Sequence, residues 1–380
     1  MNVSNLELDF TNAVHYHLGM FPPASLDFTS FVEPLLRATD ALARYDQMLK
    51  GLHNSEILLA PLRNQEAVIS SRMEGTISTM DEILRYEADI DADNLTNNQS
   101  NTRTEVIETI LYQRAMKSAQ TAMENGYPLS TALIKSAHQQ LLSYGRGMQK
   151  NPGQYKTTQN YLADRRTRTV LFVPISPELL NSGIEMLFNY IEVGDHPQLV
   201  KTAISHLEFE ALHPFEDGNG RVGRMLITLM LWKSGLISAP HFYISGYFEL
   251  HKDRYIDAMR AVSENNDWNS WCYFFLEAVE AQAKQNLTIA ENIKNLYDSL
   301  KNPISELLSS KHSLTILDFL FTNPVFRNSR LTQNSGIPSA TASRFGPILQ
   351  EHGLLKLLEP AAGRRSALYS FEPMLELVRV

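Results

Sequence analysis

The 380-residue sequence has a single cysteine, Cys272, which excludes an internal disulfide and suits a reducing compartment. Basic charge is not in surplus. Lys and Arg number 34 against 42 Asp and Glu, a net charge of −8, which argues against nucleic-acid binding over the whole surface. Long apolar runs are lacking too: Met225 to Trp232, interrupted by Thr228, falls well short of the roughly 20 apolar helical residues that a bilayer requires, so no membrane partner is expected. The opening, Met1 to Asp9, lacks the basic-then-apolar pattern of a secretory signal. With 43% hydrophobic and 20% charged residues, the expectation is a soluble cytoplasmic protein of two or three domains.

What is present is concentrated in one stretch, His213-Pro214-Phe215-Glu216-Asp217-Gly218-Asn219-Gly220-Arg221-Val222-Gly223-Arg224. A titratable base, two carboxylates, an amide, three glycines and two arginines lie between segments of helical pattern, a mixture that no packing rule demands. The glycines allow a tight turn that aims backbone N–H groups at an anion. The helix that starts near Gly220 adds its positive end to the same place. Arg221 and Arg224, three apart, both reach forward toward phosphate oxygens. Asp217 is a hard ligand suited to Mg²⁺ that bridges phosphates, and His213 can accept a proton from a hydroxyl near neutral pH.

This stretch fills every position of HxFx(D/E)GNGRxxR and so resembles the signature of Fic-domain proteins, which move AMP or another phosphate-containing group from a nucleotide to a protein hydroxyl. The resemblance implies ATP as substrate and Mg²⁺ on Asp217, with His213 as the catalytic base. Phe215, Gly218, Asn219, Gly220, Arg221 and Arg224 would then hold the nucleotide, Asn219 at the α-phosphate.

Toward the N-terminus, Phe31, Leu35, Ala38, Leu42 and Tyr45 share a helical face. Pro61 suits the first turn of a second helix that ends at Gly75, and Ser78 or Thr79 caps a third. Glu74 therefore sits at a helix C-terminus, a poor place for a carboxylate. By itself that reads as a solvated surface Glu. Ser70-Ser71-Arg72-Met73-Glu74-Gly75 also resembles the (S/T)xxxE(G/N) inhibitory pattern of the family. On that resemblance Ser70 and Glu74 are regulatory: Glu74 neighbours the nucleotide site and pairs with Arg224, displacing the γ-phosphate.

Asp91 to Thr102 reads as a polar surface loop. Helical patterns follow at Thr104 to Asn125 and from a Ser130 cap to Tyr144, with His138 read as a packed histidine. Residues 155–174 read as a hairpin with its turn at Asp164-Arg165-Arg166. This resembles the Fic flap, on which a target protein docks as an added strand; an ordinary surface hairpin is the alternative. Further helices are expected from Pro177 to Glu192 and from Pro197 to Leu212. His206, Glu210 and His213 also have zinc-ligand spacing. That reading is set aside because zinc gives no reason for the Gly-Asn-Gly-Arg tail, and His206 and Glu210 are read as packing or orienting neighbours.

Tyr243 to Tyr255 resembles the family's base-pocket block, with His251 beside the nucleotide. His251-Lys252 replaces the common Asn-Arg, which leaves nucleobase choice open. After Lys301-Asn302-Pro303 the pattern changes to three short helices and two strands around Gly363-Arg364-Arg365, a winged helix-turn-helix. From residue 311 onward there are eight Lys/Arg against five Asp/Glu. DNA contact through Ser339, Thr341, Ser343, Arg344 and the wing arginines, and a purely protein-binding role, are both open.

The expected fold class is mainly α: an N-terminal helical region with the inhibitory helix (1–95), a Fic-type helical core with a β-hairpin flap (103–300) and a winged-helix domain (305–380). The expected function is protein adenylyltransferase. The alternative is a DNA-binding regulator that uses the pocket as a nucleotide sensor, which gives no reason for an intact His213. Oligomeric state stays open, a homo-oligomer included.

Overall fold

The computed structural model of the chain describes residues 8–51, 56–90, 102–164, 166–363 and 365–379. The polar loop expected after Asp91, apart from Thr102, lies outside the described residues, as do Arg165 and Arg364. The described chain is mainly helical, and no helix in it is long and apolar enough to cross a membrane. It divides into two compact units, residues 1–43 with 114–283 and residues 44–113 with 284–380. The divisions fall inside helices α1 (Val32–Lys50), α4 (Thr104–Glu124) and α11 (Trp268–Leu308).

In the unit built on 114–283, α5 (Thr131–Leu141) begins at the Ser130 cap, whose hydroxyl accepts from the Leu133 N–H. The helices α6 (Pro177–Val193), α7 (Gln198–Leu212) and α8 (Asn219–Lys233) follow, α7 packing against both α6 and α8. α7 and α8 are buried almost all round, as their apolar composition requires. Two further helices, α9 (Ser245–Leu250) and α10 (Lys252–Asn265), lead into α11.

The expected hairpin is formed by β2 (Leu162–Ala163) and β3 (Val170–Val173), antiparallel, with the Asp164 carboxylate accepting from the Arg166 and Thr167 N–H groups in the turn. It is not alone. A strand β1 (Val14–His15), which the sequence pattern does not announce, pairs in parallel with β3, giving the order β1-β3-β2. Backbone bonds from Asp9 to Arg168 and Val170 and from Tyr16 to Val173 extend that pairing. Tyr16 Oη donates to Glu208 Oε1 at 2.7 Å, and the fully buried pair His17–Glu208, 2.9 Å apart, fixes the following residue on α7.

In the other unit, α2 (Glu56–Met73) starts before Pro61, which lies inside the helix rather than at its first turn. Burial of Ile57, Leu59, Leu62, Ala67 and Val68 outweighs the one hydrogen bond that proline removes. α2 closes with Thr76 N–H on Ser71 O and Gly75 N–H on Arg72 O, Gly75 at φ 82°, so Glu74 is the C-cap residue. Thr79 and Glu82 then form a reciprocal capping box ahead of α3 (Met80–Ile90). Pro303 likewise lies within a helix: α11 runs on to Leu308, and Ile304 and Leu308 bury its face past the expected break. The remainder is α12 (Ser313–Thr322), α13 (Asn328–Asn334), α14 (Ser339–Glu351) and α15 (Glu372–Val378), with an antiparallel sheet of order β4-β6-β5 from Val325–Arg327, Leu368–Ser370 and Lys356–Glu359.

Candidate functional site

α7 ends at Leu212, and His213 turns the chain with φ 44° and ψ 61°, a left-handed conformation that costs a non-glycine residue about 1–2 kcal/mol. The half-buried imidazole brings Nδ1 to 3.3 Å from the Glu210 carbonyl. A carbonyl only accepts, so Nδ1 carries the hydrogen in the neutral ring and Nε2 carries the basic lone pair.

The loop that follows is closed by Asn219. Its Oδ1 accepts from Phe215 N–H and its Nδ2 donates to Phe215 O, both at 2.8 Å. Gly218, at φ 78°, is the N-cap of α8 and has no side chain with which to accept from the first helical N–H groups. Those amides and the helix dipole are thus offered to an anion. Arg221 and Arg224 are 1% and 3% exposed, an unusual depth for two guanidinium groups one helical turn apart. Asp217 Oδ1 accepts from Gly218 N–H at 2.6 Å and lies 3.7 Å from Arg221 Nη2.

Three residues support this loop without any sequence signal of their own. His138 receives the Gly153 N–H on Nδ1 at 2.8 Å, so its Nε2 hydrogen goes to the Asp217 carbonyl at 2.9 Å. Its ring lies flat on Phe215, with centroids 3.7 Å apart and planes at 7°. Burial holds its pKa down to about 4, so this histidine, expected to be packed, is a neutral strut of the loop. Lys156, buried and held to about 7 by desolvation, and Asn160 both bond the backbone around His213.

His206 and Glu210 are expected from the sequence to be packing or orienting neighbours. His206 donates from Nδ1 to the Gly223 carbonyl at 3.2 Å and accepts at Nε2 from Tyr255 Oη at 2.8 Å, among Phe248, Tyr255 and Trp271. Burial lowers its pKa to about 3. Glu210 packs against Gly223. Beyond α8, His251 is half-buried with its ring 4.3 Å from that of Tyr247. Ser70 is fully buried and Glu74 partly so, on the unit that holds α2.

The donor set around Asp217 fits one magnesium ion carried in with phosphates rather than a metal held by protein alone. It is a single, partly exposed carboxylate, and no group of three His, Cys, Asp or Glu among the described residues is arranged to hold a metal.

Residues 32–121 match the model of the Fic/DOC family N-terminal region and residues 128–231 that of the Fic/DOC family, together a little over half of the chain. A probable protein adenylyltransferase of Aquifex aeolicus is 29% identical over 142 residues, covering 33% of this chain and 44% of that protein. A protein adenylyltransferase of Caenorhabditis elegans is 27% identical over 142 residues, 30% of this chain and 26% of that one. A uridine 5'-monophosphate transferase of Xanthomonas campestris is 28% identical over 139 residues, 34% and 26% of the two chains. The chain thus spans less than half the length of these curated relatives. In fold it is similar to a crystal structure of a Fic family protein from Desulfovibrio desulfuricans, with a TM-score of 0.55 at 18% identity over 92% of this chain and 98% of that one. With its loop, the helices that carry it and these matches in agreement, the chain belongs to the Fic/DOC family.

Proposed function

We propose that this protein is an adenylyltransferase that moves AMP from ATP to a Ser, Thr or Tyr hydroxyl of a protein, itself included. The observation that carries the reading is the position of His213. Its Nδ1 hydrogen is committed to Glu210 O, which turns Nε2 into the base, on the loop that leads to the uncapped N-terminus of α8. The acceptor hydroxyl gives its proton to Nε2 while its oxygen bonds to the α-phosphorus. The bond from that phosphorus to the β-phosphate oxygen breaks, and pyrophosphate leaves. The first N–H groups of α8 with Arg221 and Arg224 hold the phosphate charge as it redistributes. Asp217 would hold Mg²⁺, which when bound neutralises phosphate charge.

Autoinhibition is part of the proposal, on the strength of the Ser70 to Gly75 pattern. A carboxylate at position 74 competes with the γ-phosphate for Arg224, because one guanidinium fork cannot serve both. The acceptor docks as a strand on the sheet β1-β3-β2. β1 and β2 are both edge strands, and β2, which belongs to the hairpin, is the edge assigned to the incoming strand. For 313–378 a winged helix that binds protein is the favoured reading. Its wing residue Arg365 is engaged with Asp89 at 2.6 Å, which withdraws from DNA one of the arginines that reading needs. Salt-dependent binding of duplex DNA by the full chain would reverse that preference.

The test is incubation of the wild-type, Glu74→Gly and His213→Ala proteins with labelled ATP or UTP and Mg²⁺, read by intact mass. The expected result is addition of AMP, faster in Glu74→Gly and abolished in His213→Ala. Labelling by UTP alone would change the donor. Labelling that survives in His213→Ala would remove the base from its role.

A further inference from the structure

The backbone on either side of His213 is held by two residues that lie more than fifty positions earlier. Lys156 Nζ donates to Leu212 O at 3.1 Å. Asn160 Nδ2 donates to His213 O at 3.2 Å, and the Lys156 N–H donates to Pro214 O at 2.8 Å. Asn160 Nδ2 also reaches Phe215 O at 3.0 Å. Four consecutive carbonyls, from Leu212 to Phe215, are therefore captured by one pair of residues. The pair is itself locked: Lys156 Nζ donates to Asn160 Oδ1 at 2.8 Å, so the amide cannot turn over without setting its oxygen against the carbonyls of His213 and Phe215. Lys156 is only 3% exposed, and desolvating an ammonium there is an expense that burial alone would not justify.

The bracket falls where the backbone most needs one. His213 has a left-handed conformation that is uncommon and costly for a residue with a Cβ, and such a residue persists where its surroundings over-determine it. Its carbonyl and both neighbouring carbonyls are tied, which fixes the peptide planes from which the imidazole projects. We propose that Lys156 and Asn160 are positioning residues for His213, holding the 212–215 backbone so that Nε2 meets the acceptor hydroxyl in line with the α-phosphorus. Neither touches the reacting atoms. The inference rests on the reading of His213 as the base, and its signature is a loss of turnover without a matching loss of nucleotide affinity.

The experiment uses the full chain and measures nucleotide transfer with labelled ATP and Mg²⁺ for the wild type, Lys156→Met, Lys156→Arg and Asn160→Leu, together with thermal midpoints. Lys156→Met and Asn160→Leu are expected to lower kcat by about 10- to 100-fold, the scale of a displacement of about an ångström, with the KM for ATP within about threefold. Lys156→Arg, which can still donate to Leu212 O and Asn160 Oδ1, is expected to recover most of the loss. If Lys156→Met does not fold, Asn160→Leu, at a half-buried loop position, decides alone. Folded variants with kcat within about twofold of wild type would overturn the inference while leaving His213→Ala to judge the base. A rise in KM with kcat unchanged would overturn it as well, since that is loss of binding. Should the wild-type chain transfer nothing from any nucleotide, the reading of the site falls, and the bracket has no base to position.

Discussion

Gly223 and Glu210 are fitted to each other: a Cβ built on Gly223 would stand 2.2 Å from Glu210 Oε1 and 3.2 Å from Phe209 Cδ1. The glycine inside the signature thus answers to a packing demand from α7 as well as to its place beside Arg224. Glu210 also supplies the carbonyl that fixes the His213 tautomer, so its surroundings bear on that imidazole.

Gly223→Ala is expected to force the Glu210 side chain aside at a cost of about 1–3 kcal/mol. Glu210→Ala in the same chain removes the obstructing atoms, so the double variant should be more stable than the sum of the single changes implies. A denaturation cycle on the four proteins measures the coupling. Independent, additive effects would show that the two side chains do not compete for the same space.

His138 predicts a pH dependence of stability. Its folded pKa, about 4, lies below the ordinary 6.5, so protonation favours the unfolded chain. The stability it contributes is complete above pH 6.5 and drains away as pH falls from there toward 4, up to about 3 kcal/mol in all. Lys156, lowered to about 7 from 10.5, loses its own contribution as pH falls through that higher window and is constant below it. His206 titrates in the acid window too, with a folded value of about 3. Urea midpoints of wild type and His138→Gln between pH 7.5 and 4.5 should therefore converge toward acid pH. Parallel curves would show that His138 is not held neutral.

Much of this was legible in sequence because it depends on local chemistry. The Ser130 cap, the cap at Ser78 or Thr79 and Gly75 mark helix ends by their own side chains or lack of one, and the loop from His213 to Arg224 is contiguous. Apolar periodicity marks many of the fifteen helices among the described residues, but α9, α10 and α15 have no such reading in the sequence. What could not be read is non-local. β1 is two residues long and pairs with a strand over 150 positions away, so no alternation announces it. Pro61 and Pro303 mark helix limits by propensity, and only tertiary burial overrides them. The roles of His138, Lys156 and Asn160 depend on carbonyls that carry no side-chain identity, which hides them from any motif.

Arg327 is expected to be the most costly single charge to remove from 313–378. It is 1% exposed and donates to Asp89 Oδ1 at 2.7 Å, Glu359 Oε2 at 2.6 Å and the Ser366 carbonyl at 2.9 Å. Arg327→Met leaves Asp89 and Glu359 without their buried cation, with the half-exposed Arg365 as the cation they still share. Since both retain some exposure, the expected loss is about 2–4 kcal/mol, toward the lower part of the range for broken buried pairs. Arg327→Lys should recover less than half, because an ammonium cannot span three acceptors in one plane. Equal stability of the Arg and Lys forms would show that charge alone holds this network.

Asn219 separates two accounts of the signature asparagine. As a phosphate contact, its side chain would bind nucleotide, and Asn219→Ala would raise the KM for ATP. Here both polar ends of the amide already bond the Phe215 backbone, and the residue is 2% exposed. On the clasp account the side chain keeps His213 and α8 in register, and only the backbone N–H of Asn219, the first residue of α8, is left to meet a phosphate. Asn219→Ala is therefore expected to cost about 1–3 kcal/mol of stability, since it strands the Phe215 N–H, and to lower kcat more than it raises KM. Asn219→Asp is the sharper probe. It can still accept from Phe215 N–H but cannot donate to Phe215 O, and it sets a negative charge at the N-terminus of α8, where it suits the helix dipole and opposes phosphate. The clasp account predicts that Asp retains more stability than Ala yet binds nucleotide more weakly. An Asp form no more stable than the Ala form would mean that the bond to Phe215 N–H contributes little to holding the loop.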